Sequence, residues 1–160
     1  MIDRELLREC VLFSELSDSE LDRVAALAVE KEYQAGSTVF AAGDPAEELF
    51  VLKEGRMAVQ MTLPEERGQA GRKITVDVVT RHEVAGWSAI MEPYMYTFTA
   101  LCLQRTVVLA INGDKLMSLL WDNPRMGYEV MKGLSKALAA ALNDTRQVLI
   151  SERLLSGEMD

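Results

Sequence analysis

The stretch Gly36-Ser37-Thr38-Val39-Phe40-Ala41-Ala42-Gly43-Asp44-Pro45-Ala46-Glu47-Glu48-Leu49-Phe50-Val51-Leu52-Lys53-Glu54-Gly55-Arg56-Met57-Ala58-Val59 decides the fold. Three short β-type runs are separated by Gly36, Gly43-Asp44 and Gly55. Each break falls where a chain must turn tightly, often with a positive φ that glycine adopts without strain. The rhythm continues outward, with further β-type runs at 57–61, 74–79, 96–103 and 107–111. Short strands at even spacing predict a mainly β fold, an antiparallel β-barrel of the jelly-roll kind. The segment 63–72, with Pro64, Gly68 and Gly71 among mixed charges, reads as a hairpin loop.

Helical patterns flank the strands. Residues 2–10 form a short amphipathic helix with Ile2, Leu6 and Leu7 on one side. Ser17-Asp18-Ser19-Glu20 precedes Leu21, Val24, Leu27 and Ala28, a helix with Ser17 as N-cap and Glu20 closing a capping box. After Asn112-Gly113-Asp114 a helix covers 114–120, and Pro124 opens a longer one, since its missing N–H costs nothing in a first turn. The long helix carries Met131, Leu134, Leu138, Ala141, Thr145 and Val148 at alternating spacings of three and four. That period favours pairing with a second helix, although the same stripe can pack on the barrel instead. The implied organisation is N-terminal helices over 1–29, a barrel over 30–112, C-terminal helices over 113–155 and a tail over 156–160.

Composition narrows the function. At 160 residues and 49% apolar, the chain suits one domain with a real core. Its net charge is −8, and 17 scattered basic residues face 25 acidic ones. A DNA-gripping surface needs clustered Lys and Arg, so direct nucleic-acid binding is not expected. No apolar run approaches the ~20 residues that span a bilayer, and no leader pattern opens the chain, so a cytoplasmic location is expected. Cys10 and Cys102 are distant from each other and outside any C-x-x-C pattern, and read as reduced thiols. With His82 as the single histidine there is no triad, and metal-ligand spacing is absent. No catalytic or metal residues are assigned, Asp44 reads as a turn residue, and the chain is not expected to be an enzyme.

The second informative stretch is Gly86-Trp87-Ser88-Ala89-Ile90-Met91-Glu92-Pro93-Tyr94-Met95-Tyr96-Thr97-Phe98-Thr99-Ala100. With residues 36–59, it resembles the cyclic-nucleotide-binding domain family, the sensor half of catabolite-activator and FNR-type regulators. The likeness runs from residue 5 to residue 150. It implies a regulatory ligand-sensing role, a parallel homodimer through Met131, Leu134, Leu138, Ala141, Thr145 and Val148, and a separate protein partner downstream. In the family's transcription factors a winged helix-turn-helix follows this helix. Here ten residues, 151–160, follow, and DNA reading is not expected.

The family's phosphate cassette resembles Gly-Glu-x-Ala-Leu-Leu followed by Arg-Ser/Ala-Ala-Thr/Ser-Val. Gly86 matches its glycine, Ala89-Ile90-Met91 its helical turn, and Thr99-Ala100 the next strand. The glutamate that takes the ribose hydroxyl falls at Trp87. The arginine that clamps the phosphate falls at Tyr96, or at Met95 if the loop is one residue shorter. The family's base-contacting Thr-Ser pair falls at Ala141-Leu142. Losing charge-assisted bonds worth ~1.5–3 kcal/mol each disfavours cyclic AMP. Three readings stay open. In one, Gly86, Trp87, Ser88, Ala89, Tyr96 and Thr97 bind another small anionic or aromatic ligand, with Trp87 and Tyr94 or Tyr96 stacking on it. In the second, Trp87 and Tyr96 fill the barrel mouth and the domain is a ligand-free dimerisation scaffold. In the third, His82 with Met91, Met95 or Met131 holds a haem. No cofactor is assigned.

Overall fold

The computed structural model describes residues 4–63 and 71–157. Ile2, most of the expected 63–72 loop and the last three residues of the expected tail lie outside that set. Two short helices, α1 (Arg4–Arg8) and α2 (Asp18–Ala25), precede eight strands. The strands are β1 (Ala28–Tyr33), β2 (Thr38–Phe40), β3 (Glu48–Glu54), β4 (Met57–Thr62), β5 (Lys73–Val79), β6 (Val84–Ala85), β7 (Thr99–Cys102) and β8 (Thr106–Asn112). A 3-10 turn (Trp87–Ile90) joins β6 towards β7, and α3 (Gly113–Asp122) and α4 (Pro124–Ser156) close the chain. The strands form two four-stranded antiparallel sheets ordered β1-β8-β3-β6 and β2-β7-β4-β5. Sheets stacked in this way bury their inner faces against each other. Leu49, Val51, Met57, Ala100, Leu109 and Ile111 supply that interior.

The capping box is present: Ser17 Oγ accepts from the Glu20 amide at 3.3 Å, and Glu20 Oε1 accepts from the Ser17 amide at 2.9 Å. The helix it opens is shorter than the sequence suggests. α2 stops at Ala25, and Ala28 opens β1, paired with Ile111 of β8. β1 escapes sequence reading because it is an edge strand written Ala-Val-Glu-Lys-Glu-Tyr, without apolar alternation. β6, with two residues, is too short to carry a signal. The strand expected over 96–103 is confined to Thr99–Cys102. Residues 94–96 pair with the turn after β2 instead: the Gly43 amide donates to Tyr96 O at 2.8 Å and the Tyr96 amide to Asp44 O at 3.0 Å.

α4 is 33 residues long, about 50 Å at 1.5 Å per residue. Its first half belongs to the core, where Met126, Val130 and Leu134 pack with Leu7, Leu12 and Phe13 of the N-terminal segment. At Gly133 the contact is backbone to backbone. A Cβ there would stand 2.4 Å from Val11 O and 2.8 Å from the Leu12 Cα, so only glycine permits this approach. From residue 142 onward every described residue of the helix is exposed.

Candidate functional site

β3 and β6 pair Phe50 with Ala85 and Val51 with Val84, which delivers the chain to Gly86 at the rim of the barrel. Gly86 has φ +77°, the left-handed conformation, and turns the chain into Trp87–Ile90. A helical turn leaves its first amides without partners inside the turn, here those of Trp87 and Ser88. Ala89 and Ile90 are buried beneath it. α3 begins beside this turn, held by the Gly113 amide donating to Glu47 O at 2.8 Å.

Tyr96 occupies the space in front of Gly86. Its side chain is 7% exposed, and its ring stacks on Phe40 with centroids 4.1 Å apart. The phenol donates to Glu48 O at 2.6 Å and accepts from the Glu48 amide at 3.3 Å. A Cβ built on Gly86 would meet Glu48 O at 3.1 Å, Phe50 Cδ2 at 3.2 Å and Tyr96 Cε1 at 3.3 Å. The tyrosine ring therefore lies against the cassette glycine itself. Burial raises the phenol above its ordinary pKa, opposed by its bond to the Glu48 backbone.

The residues expected to line a ligand site are thus divided. Gly86, Trp87, Ser88 and Ala89 share the turn, with Trp87 half-buried against the core. Tyr96 is a core residue rather than an exposed stacking platform, and Thr97 faces solvent. Tyr94 (φ +57°) and Met95 are exposed on the loop outside. No residue of 86–91 or of 94–97 carries a positive charge. A surface hollow of about 380 Å³ lies elsewhere, lined by Glu30, Glu32, Lys53, Glu54 and Arg105 among others. Lys53 pairs there with Glu30 at 2.6 Å, and Arg105 with Glu32 at 2.6 Å and Glu54 at 3.1 Å, while Lys31 at its edge pairs with Glu48 outside it at 2.8 Å.

His82 sits in the turn before β6 with φ +73°. Its Nε2 contacts Glu9 Oε2 at 2.5 Å, so an axial metal bond from this nitrogen would have to displace that carboxylate. Among the described residues no group of three His, Cys, Asp or Glu side chains is placed to hold a metal ion. No described helix is long and apolar enough to cross a membrane. Cys10 and Cys102 are both buried free thiols.

The expected pairing seam also divides. Leu134 is buried in the chain's own core, and Met131 and Leu138 are half-buried against it. Leu134, expected in the seam, thus packs within its own chain. Ala141, Thr145 and Val148 remain accessible. Leu142 and Leu149, which the seam reading left out, stand exposed beside them at 51% and 49%.

Comparison with known proteins agrees with this architecture. A CRP-like cAMP-activated global transcriptional regulator of Mycobacterium tuberculosis is 20% identical over 148 residues, 92% of this chain and 64% of the regulator. The anaerobic regulatory protein of Bacillus subtilis is 24% identical over 139 residues, 86% of this chain and 56% of that protein. The chain thus spans less than two thirds of the length of these curated relatives. The N-terminal domain of a transcriptional regulator from Streptomyces coelicolor superposes with a TM-score of 0.71 at 26% identity, covering 86% of this chain and 93% of that one. A cyclic nucleotide-binding domain from Methylobacillus flagellatus superposes with a TM-score of 0.81 at 18% identity, covering 93% and 83%. The sequence profile of the cyclic nucleotide-binding domain matches residues 30–123, more than half of the chain, which therefore belongs to the cyclic nucleotide-binding domain family.

Proposed function

We propose that this chain is a regulatory module of its family that works through association of α4, with the ligand place at the cassette filled by its own Tyr96. One observation carries the reading. The Tyr96 ring lies against Gly86 and stacks on Phe40, and its hydroxyl bonds both the carbonyl and the amide of Glu48. A cyclic nucleotide would have to displace that ring, and it would find no arginine in the cassette to receive its phosphate. Signalling then passes to a protein partner or a second copy through the exposed half of α4, without catalysis and without direct nucleic-acid contact.

Calorimetry with cyclic AMP and cyclic GMP tests the first half of the proposal. The expected result is no saturable heat, corresponding to a dissociation constant above ~10 μM. Sub-micromolar binding of either nucleotide would overturn it. Light scattering of Val148→Asp tests the second half. Val148 is 58% exposed, so the variant leaves the core intact while placing a charge in the seam, and a dimer should become a monomer. An unchanged dimer mass would reject this interface.

A second reading has its own support. The Gly86 turn keeps two amides without partners in the turn, and such groups favour an anion. Trp87 stands half-buried at their side. A small carboxylate or phosphate metabolite held there would make the chain a sensor for a ligand other than a cyclic nucleotide. A metabolite panel followed by Trp fluorescence tests it, and the reading falls if Trp87→Ala leaves the affinity of every hit unchanged.

A further inference from the structure

The turn that leads into the cassette encloses a ring nitrogen with no partner. His82 is the single histidine of the chain and lies four residues before Gly86. Its backbone is left-handed at φ +73°, an uncommon conformation for a residue with a side chain. Two bonds to β3 hold it there: the His82 amide donates to Leu52 O at 2.9 Å, and the Leu52 amide donates to Glu83 O at 3.1 Å. Nε2 contacts Glu9 Oε2, while Nδ1 is enclosed and has no hydrogen-bond partner. The charged groups about the turn are Glu9 of α1, Lys53 beside Leu52 on β3, Arg81 and Glu83 in the turn itself, and Asp77 of β5 with Asp144 of α4. Glu83 is taken by Thr80, whose amide and hydroxyl donate to it, and Lys53 by Glu30. Among the described residues Glu9 is the charged group in contact with the ring.

We propose that the turn over 80–83 is an acid-sensitive catch on the cassette, opened when His82 takes up a proton. Imidazole is the side chain that changes charge between about pH 5 and 8. A neutral ring needs one acceptor here: Nε2 donates to Glu9 and Nδ1 stays bare. A charged ring has two donors and finds the same one acceptor, which leaves an enclosed N–H unpaired. Glu9 attracts that charge, but its side chain is 55% exposed and water screens the attraction. The enclosure at Nδ1 has no such relief, so acid favours a turn swung outward with Nδ1 in water. Opening releases the two bonds to Leu52 and the strained φ together. β6 follows with only Val84 and Ala85, and Gly86 and Trp87 come next, so the cassette turn loosens with the catch. The inference is independent of what α4 or the cassette binds.

The experiment uses the whole chain carrying Trp121→Phe, so that Trp87 is the one remaining tryptophan. Trp121 is 86% exposed and lies outside the core. Between about pH 8 and about pH 5.5, Trp87 emission should move to longer wavelength in a reversible, one-proton step. His82→Asn, which accepts a left-handed φ but no proton, should lose that step, and Glu9→Gln should keep it. Nitrogen NMR of the parent ring at about pH 8 requires no variant and should place the proton on Nε2. A flat parent profile, a step that survives His82→Asn, a step lost in Glu9→Gln, or a proton found on Nδ1 would each overturn the inference.

Discussion

Replacing Tyr96 measures how far the cassette is closed by the protein's own core. Tyr96→Phe removes only the hydroxyl, and with it a 2.6 Å bond to Glu48 O and a 3.3 Å bond from the Glu48 amide. A net hydrogen bond contributes ~1 kcal/mol, with up to ~3 kcal/mol at stake where a buried group loses its partner. Tyr96→Ala also removes the ring, its 4.1 Å stack on Phe40 and its contact with Gly86. Aromatic-to-alanine changes at buried positions cost ~3–5 kcal/mol. For a domain of this size each kcal/mol moves Tm by ~2–4 °C. Thermal unfolding should fall by about 3 °C for the phenylalanine variant and about 10 °C for the alanine variant at equal protein concentration. The hole left by alanine is apolar on its Phe40 and Phe50 sides and should admit phenol, which at a hundred times its dissociation constant returns ~2.7 kcal/mol. Parent protein should not respond to phenol. A Tyr96→Ala protein melting within about 1 °C of the parent, unaffected by phenol, would show that the ring does not close the cassette.

Asp77 on β5 has its carboxyl raised above the usual range, chiefly by burial, with Glu83 and Asp144 adding to the shift. A folded state that holds its proton more tightly gains stability as pH falls through the raised value towards that of the unfolded chain. Asp77→Asn should therefore be the more stable form at neutral pH and show a smaller gain on acidification, read by denaturant midpoints from pH 7 down to pH 4. Burial pushes the Cys10 thiol up to about 12, so a thiol reagent at neutral pH should not modify it in the native protein and should do so promptly after unfolding. Ser17→Ala removes one arm of the α2 capping box and should cost ~1 kcal/mol in chemical denaturation, with no change in α4 association.

The parts of the molecule legible in its sequence are those specified by near neighbours. The capping box depends on Ser17 and Glu20 alone, and the opening of α4 on Pro124. The glycine breaks between β2, β3 and β4 are equally local. β1 was hidden because its strand character comes from pairing with β8, almost eighty residues away, while its own side chains are mostly charged. The same physics governs the site. Gly86 and the turn after it could be placed from the residues alone, but the role of Tyr96 could not. A tyrosine at that position serves either to stack on a ligand or to fill the mouth. In the structure the ring is held by the Glu48 backbone and the Phe40 ring, both distant in sequence. In α4 the spacing of apolar residues is plain, but which of them the chain keeps for itself is not. The missing Cβ at Gly133 lets that part of the helix close onto the N-terminal segment, and burial of Leu134 follows.

The Gly133 contact also fixes where α4 stops being part of the core. Leu138 is the last of its residues packed against the core, and from there to Ser156 the rod extends 18 residues, about 27 Å. A tilt of about 10° at that seat carries the tip some 5 Å, close to one turn of helix. At its other end α4 follows α3, whose first amide, that of Gly113, donates to Glu47 O beside the cassette. The position of the helix tip is therefore set by packing at Val11, Leu12 and Gly133, and small changes in that seat are enlarged along the free part of the rod.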